Sequence, residues 1–188
     1  MNTETIYRII FLLLSFILHG CGSKKVNDET YKQIESYQLI NQKYIHSSEG
    51  KGINMKINLI DINNQNLLLN NIIKKKLTLF CRIPNLDCQP CLSLELDDVL
   101  KRIRNAEVIF LVSCENKRHF KAFGEINKHT FLINKNDLDL PIEKANKIYF
   151  FLLEKNNNIP KNYFLPVKEI SSLAIDYAKL INNKFPIN

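Results

Sequence analysis

The chain contains no tryptophan, only two methionines and only five glycines among 188 residues. So little glycine excludes a collagen-like or glycine-rich repeat, and a hydrophobic fraction of 45% with 10% aromatics excludes wholesale disorder and a small disulfide-dense scaffold. Acidic residues are also short: 19 Asp+Glu stand against 26 Lys+Arg, a formal charge of +7. A basic balance invites a nucleic-acid reading, because Lys and Arg release counterions from phosphates. No zinc-finger spacing, RNP-like aromatic motif or basic helix accompanies it, and the longest basic run, Lys74 to Lys76, precedes an apolar strand as a solvated turn would. The abundant residues are 25 Ile, 24 Asn and 21 Lys, the set that A/T-rich codons favour, so no nucleic-acid partner is expected. Length and composition fit one modest domain plus an appendage.

The most apolar run, Ile9 to Leu18, is too short to span a bilayer: ten residues rise about 15 Å in a helix, against a hydrocarbon core of about 30 Å. It has the form of a secretory signal peptide, with Arg8 before the apolar core and His19-Gly20-Cys21 after it. Leu18 to Cys21 resembles a bacterial lipobox, although His19 replaces the usual small residue. That resemblance implies cleavage before Cys21 and attachment of lipid to its thiol. Residues 1–20 are then the lipoprotein signal peptide and 21–52 a polar, lipid-anchored tether, with weak helical periodicity at Tyr31, Ile34 and Tyr37. Removing residues 1–20 takes away one Arg and one Glu and leaves the charge at +7.

From Ile53 the pattern changes. Ile53, Met55, Ile57 and Leu59 alternate with polar residues, the period of a half-buried strand, and Asn63-Asn64-Gln65 reads as a turn before a second apolar run, Leu67 to Leu69. Strands are predicted over 77–83, 108–112, 129–133, 148–153 and 159–165, the last at an edge because of Pro160. Helices are predicted over 92–103, 116–126 and 167–181 from their apolar stripes and flanking signals, with an irregular link at 135–147. The sum is an α/β sandwich over 53–188.

Five cysteines are present, and Cys88-Gln89-Pro90-Cys91 pairs two of them across one helical turn at a strand-to-helix junction. Unpaired backbone N–H groups and the helix dipole there favour a thiolate on Cys88, and Pro90 costs little where first-turn N–H groups have no acceptor. Such a pair can exchange with an external disulfide. A structural disulfide, inert buried thiols, or a metal site drawn from Cys81, Cys88, Cys91 and Cys114 would use the same residues. Cys81 alternates in phase with Leu79 and Ile83, so it is expected in the core as a free thiol, with a Cys81–Cys114 bridge left open. His119 and His129 stand isolated in the sequence and read as surface or packing residues.

The segments 58–69, 77–91 and Phe151 to Ile159 together resemble the thioredoxin-like redoxin proteins of the bacterial envelope, the TlpA-like group, many of which are lipoproteins. The resemblance spans Ile53 to Ile181. It implies a thioredoxin-like α/β fold: a central mixed sheet with helices on both faces and an N-terminal β-hairpin extension. It also implies a thiol-disulfide oxidoreductase in which Cys88 is the nucleophile and Cys91 resolves the mixed disulfide, with no cofactor beyond that redox-active pair and no metal.

The chain departs from the group's pattern in the active-site loop and opposite it. Asp87 fills the place usually held by an aromatic residue, and its charge opposes thiolate formation on Cys88. Ile148 or its neighbour stands where the group has a cis-proline facing the disulfide. That raises two other readings: a redox-inactive lipoprotein using the fold as an interaction module, and a copper- or zinc-handling protein. The related peroxidase motif would need Pro at 81 and Thr or Ser at 85, where the chain has Cys81 and Asn85. Expected partners are thiols and disulfides of envelope proteins, and the membrane through the lipid on Cys21, for a monomeric domain held outside the cytoplasm.

Overall fold

The computed structural model describes residues 28–87, 96–167 and 170–186. The chain divides into two units, residues 1–36 and 37–188. The signal segment, Cys21, and the Cys88-Gln89-Pro90-Cys91 motif lie outside the described residues.

Seven strands form one sheet: β1 (Asn58–Ile60), β2 (Asn66–Leu68), β3 (Leu77–Ile83), β4 (Val108–Val112), β5 (Thr130–Leu132), β6 (Tyr149–Glu154) and β7 (Lys161–Phe164), in spatial order β2-β1-β5-β4-β3-β6-β7. The pairs β3–β4 and β4–β5 are parallel, and the other neighbours are antiparallel. The helices are α1 (Asp28–Ser48), α2 (Leu69–Ile72), α3 (Lys117–Ile126) and α4 (Ser171–Lys184), with a 3-10 turn at Pro141–Ala145. Residues 96–100 are also helical.

The central strands are mostly apolar because both faces of the sheet are covered, with Thr78 and Arg82 as the polar residues of β3. On one face Phe80, Leu111, Tyr149 and Phe151 pack with Leu138, Ile142 and, from α1, Tyr44 and Ile45. On the other, Leu79, Cys81, Ile83, Phe110 and Phe150 pack with Leu96, Val99, Phe120 and, from α4, Ala174, Tyr177 and Ile181. Cys81 therefore faces the core as expected and is free and fully buried; burial holds its thiol well above the ordinary range.

Three segments differ from their sequence pattern. The alternation at 53–59 is real in burial, with Ile53, Ile57 and Leu59 all buried, but only 58–60 pair as a strand. The Asn54 side chain accepts the Lys56 N–H at 2.9 Å, and residues 55–56 turn. The predicted link at 135–147 contains the 3-10 turn. Residues 37–52, read as part of a tether, belong to the second compact unit. There Ser48 is fully buried, and its hydroxyl accepts the Ile142 N–H at 2.9 Å while donating to the Tyr44 carbonyl at 2.9 Å.

One buried charge pair holds the carboxyl ends of the parallel strands together. Arg82 has no exposed surface: Nε donates to Glu143 Oε1 at 2.8 Å, Nη1 to the carbonyls of Ile83 and Leu111 at 3.1 and 3.2 Å, and Nη2 to Ser113 Oγ at 2.8 Å. Ser113 Oγ passes the chain on to the Ile133 carbonyl, and the Tyr149 hydroxyl donates to Glu143 Oε1. One arginine thereby ties β3, β4, β5, β6 and the 3-10 turn. A buried guanidinium is tolerable only when its donors are satisfied in this way.

Candidate functional site

Above that network the chain leaves β3 through Pro84, Asn85, Leu86 and Asp87. Leu86 is buried and its N–H donates to the Ser113 carbonyl at 2.9 Å, which fastens the loop to the end of β4. Asn85 Oδ1 accepts the Asp87 N–H at 3.0 Å, an Asx turn that fixes the direction of the next residue. On the neighbouring strand, the chain continues past Val112 to Cys114 and Glu115. Asn116 caps α3 by accepting the Arg118 N–H at 2.9 Å, which sets His119 in the first turn of the helix.

These three segments converge on the Asp87 carboxylate. Its Oδ2 accepts the Glu115 N–H at 2.9 Å; its Oδ1 accepts the Cys114 thiol at 3.1 Å and pairs with His119 Nδ1 at 2.9 Å. The ligand-capable atoms of Asp87, Cys114 and His119 all lie within 4.8 Å of one another. The Glu115 N–H, then the Cys114 thiol and His119, hold the Asp87 carboxyl down at about 2. Partial burial, reinforced by the Asp87 carboxylate, pushes the Cys114 thiol up to about 11. An open cavity of about 360 Å³ adjoins the group and is lined by Asn85, Asp87, Ser113, Cys114, Asn134 and Lys135.

Among the residues singled out in the sequence, Asp87 stands at the carboxyl end of the parallel strands, and its charge faces Cys114 and His119. Ile148 is buried directly before β6, in the same layer as Ile83 and Leu86. No cis peptide bond occurs among the described residues, residues 147–149 included. Cys81 and Cys114 do not meet. Cys81 stands opposite Phe110 in the ladder, four residues before Cys114, about 13 Å along a strand and well beyond the roughly 7 Å that a disulfide spans between Cα atoms. Both thiols are free. His119 is not isolated in space, and neither is His129, which pairs with Glu107. The cap at Asn116 was the available signal for His119, because it places that ring at the strand ends.

The order β4-β3-β6-β7 frames this group. It combines a parallel pair joined through the helical residues 96–100 with an antiparallel hairpin followed by α4. That is the thioredoxin-like α/β arrangement, here extended by the β1–β2 hairpin beyond β5, as the sequence led us to expect. In such sheets the carboxyl ends of the parallel strands are where ligands and chemistry gather.

No protein-family model and no curated protein sequence matches the chain. Among solved structures, similar ones include peroxiredoxin Q of Xanthomonas campestris, 13% identical, covering 72% of this chain and 99% of its own with a TM-score of 0.48. An uncharacterized thioredoxin-like protein of Porphyromonas gingivalis is 14% identical over 70% of this chain and 93% of its own, TM-score 0.48. The peroxidoxin BcpB of Mycobacterium tuberculosis is 11% identical over 72% and 99%, TM-score 0.47.

Proposed function

We propose that this protein is a lipid-anchored thiol-disulfide oxidoreductase of the bacterial cell envelope. The observation that carries the reading is the place of the CxxC motif in the chain. It begins at the residue after Asp87, in the connection from β3 to the helical residues 96–100, where a thioredoxin-like topology collects its chemistry. In the reducing direction, the Cys88 thiolate attacks one sulfur of a protein disulfide and expels the other as a thiolate, giving a mixed disulfide. The Cys91 thiolate then attacks the Cys88 sulfur and releases the second substrate thiol. The substrate has gained two electrons, and Cys88 and Cys91 end as a disulfide that an external dithiol must reduce. Lipid on Cys21 would hold the domain at the membrane beside exported proteins, and neither a metal nor a nucleic acid enters the cycle.

The test uses the full chain in detergent, with Cys21→Ala so that only the remaining thiols take part. Dithiothreitol-dependent reduction of insulin disulfides is expected from this protein, loss of that activity in Cys88→Ser, and a trapped mixed disulfide in Cys91→Ser. Activity that survives Cys88→Ser would overturn the reading, as would inactivity of the parent chain.

A further inference from the structure

The group formed by Asp87, Cys114 and His119 has no part in the exchange just described, and its donors come from three separate segments: the loop after β3, the end of β4 and the first turn of α3. We propose that it is a zinc site, with Asp87 Oδ1, Cys114 Sγ and His119 Nδ1 as protein ligands and a fourth position open to the adjoining cavity.

The donor set selects the ion. One carboxylate oxygen, one imidazole nitrogen and one thiolate sulfur are too soft for calcium or magnesium, which take nearly all their ligands as oxygen, and too mixed for copper(I), which favours sulfur. Zinc accepts all three, at about 2.0 Å for oxygen and nitrogen and about 2.3 Å for sulfur. Tetrahedral angles at those lengths put the donors roughly 3.3 to 3.5 Å apart. Asp87 Oδ1 already lies 2.9 Å from His119 Nδ1 and 3.1 Å from Cys114 Sγ, and all three donor atoms lie within 4.8 Å of one another, so side-chain rotations can bring the group to that spacing. The support around it is also that of a ligand set. Asp87 Oδ2 is held by the Glu115 N–H, leaving Oδ1 free for the metal, and the Asn116 side chain lies at the far nitrogen of His119, at 3.5 Å. Three protein ligands and an open fourth position are the arrangement of zinc sites that exchange a water or an anion. The cavity of about 360 Å³, with Lys135 on its wall, gives the ion and a small anionic ligand a way in. Binding replaces the Cys114 S–H bond by a Zn–S bond and releases that proton to solvent.

The test titrates ZnCl2 by calorimetry into the full chain carrying Cys21→Ala, Cys88→Ser and Cys91→Ser, in which Cys81 and Cys114 are the remaining thiols. Expected are one zinc ion per chain, release of the thiol proton seen as a buffer-dependent heat, and a sulfur-to-metal charge-transfer band when Co2+ replaces Zn2+. Cys114→Ala and His119→Ala, each added to that chain, should weaken binding by more than about a hundredfold, since even outer partners of a ligand are worth ten- to a hundredfold. Cys81→Ala should leave it unchanged. Cys114 and His119 are at the partly exposed end of the sheet and Cys81 is in the core, and unfolding curves in EDTA verify that each variant is folded. No stoichiometric binding by the folded chain, or binding that survives Cys114→Ala or His119→Ala, would overturn the proposal. Because Cys88 and Cys91 are absent from this chain, either outcome leaves the disulfide-exchange reading standing or falling by its own assay.

Discussion

The thiol of Cys114 donates to Asp87 Oδ1 across 3.1 Å, bridging the loop after β3 to the end of β4. Partial burial disfavours the thiolate and the neighbouring carboxylate adds to that, so the folded pKa of about 11 lies above the ordinary 9.0. This contribution to stability is fully present below pH 9 and is lost as pH rises through about 11. The reactive form is the thiolate, so at pH 8 folded Cys114 should alkylate about a hundredfold more slowly than an unhindered thiol. With Cys88→Ser and Cys91→Ser and in EDTA, the pH profile of iodoacetamide labelling, read by mass spectrometry, should have its midpoint near 11. Asp87→Asn removes the charge but not the burial and should move the midpoint part of the way to 9. A parent midpoint at or below 9 would show that the pair does not form.

Arg82 and Glu143 make a second prediction. Arg82→Met leaves the Glu143 carboxylate buried with no counter-charge and strips donors from the carbonyls of Ile83 and Leu111, so a loss of about 3–5 kcal/mol is expected in urea unfolding. Glu143→Leu alone strands the guanidinium in the same way. Made together, the two changes should cost at least about 1 kcal/mol less than the sum of the single losses, the coupling typical of contacting charged groups. Strict additivity would mean that the two side chains do not hold each other.

Ser48 tests whether the end of α1 belongs to the fold. Ser48→Ala leaves the buried Ile142 N–H without its acceptor, a loss of about 1–3 kcal/mol. The exposed neighbour Ser47, whose hydroxyl reaches the Tyr44 carbonyl, should tolerate alanine within about 0.5 kcal/mol. Equal effects at the two positions would detach residues 37–48 from the core.

This helix also shows what a sequence hides. The face that α1 turns to the sheet includes Asn41, Tyr44, Ile45 and Ser48, helically spaced, but two of the four are polar and break the apolar stripe. Strands β3, β4 and β6 were legible because burial on both faces forces continuous apolar runs. Arg82 sits inside one of them as a charge that only tertiary partners explain. The Asp87 group was illegible for another reason. Its members are 27 and 32 residues apart, and nothing local brings Cys114 and His119 to Asp87. The parallel pairing of β3 with β4 does that, together with the cap that starts α3. The CxxC motif, by contrast, is visible in the sequence because its two cysteines stand three residues apart, just after a predicted strand.

Gly124 lies inside α3, where alanine would ordinarily gain about 1 kcal/mol of helix propensity. A Cβ there would come 2.3 Å from Cγ2 of Ile62, in the loop between β1 and β2. That methyl sits on a branched carbon and cannot swing away without moving the loop, where Asp61 Oδ1 already accepts the Asn63 and Gln65 N–H groups, each at 2.8 Å. Overpacking of this kind costs about 1–3 kcal/mol, enough to outweigh the propensity gain. Gly124→Ala should therefore destabilise the protein in urea unfolding, whereas in an Ile62→Ala background, with the methyl gone, the same change should stabilise it. If alanine stabilises both backgrounds, α3 does not pack against the hairpin loop as closely as the structure places it; if it destabilises both, something other than Ile62 demands glycine.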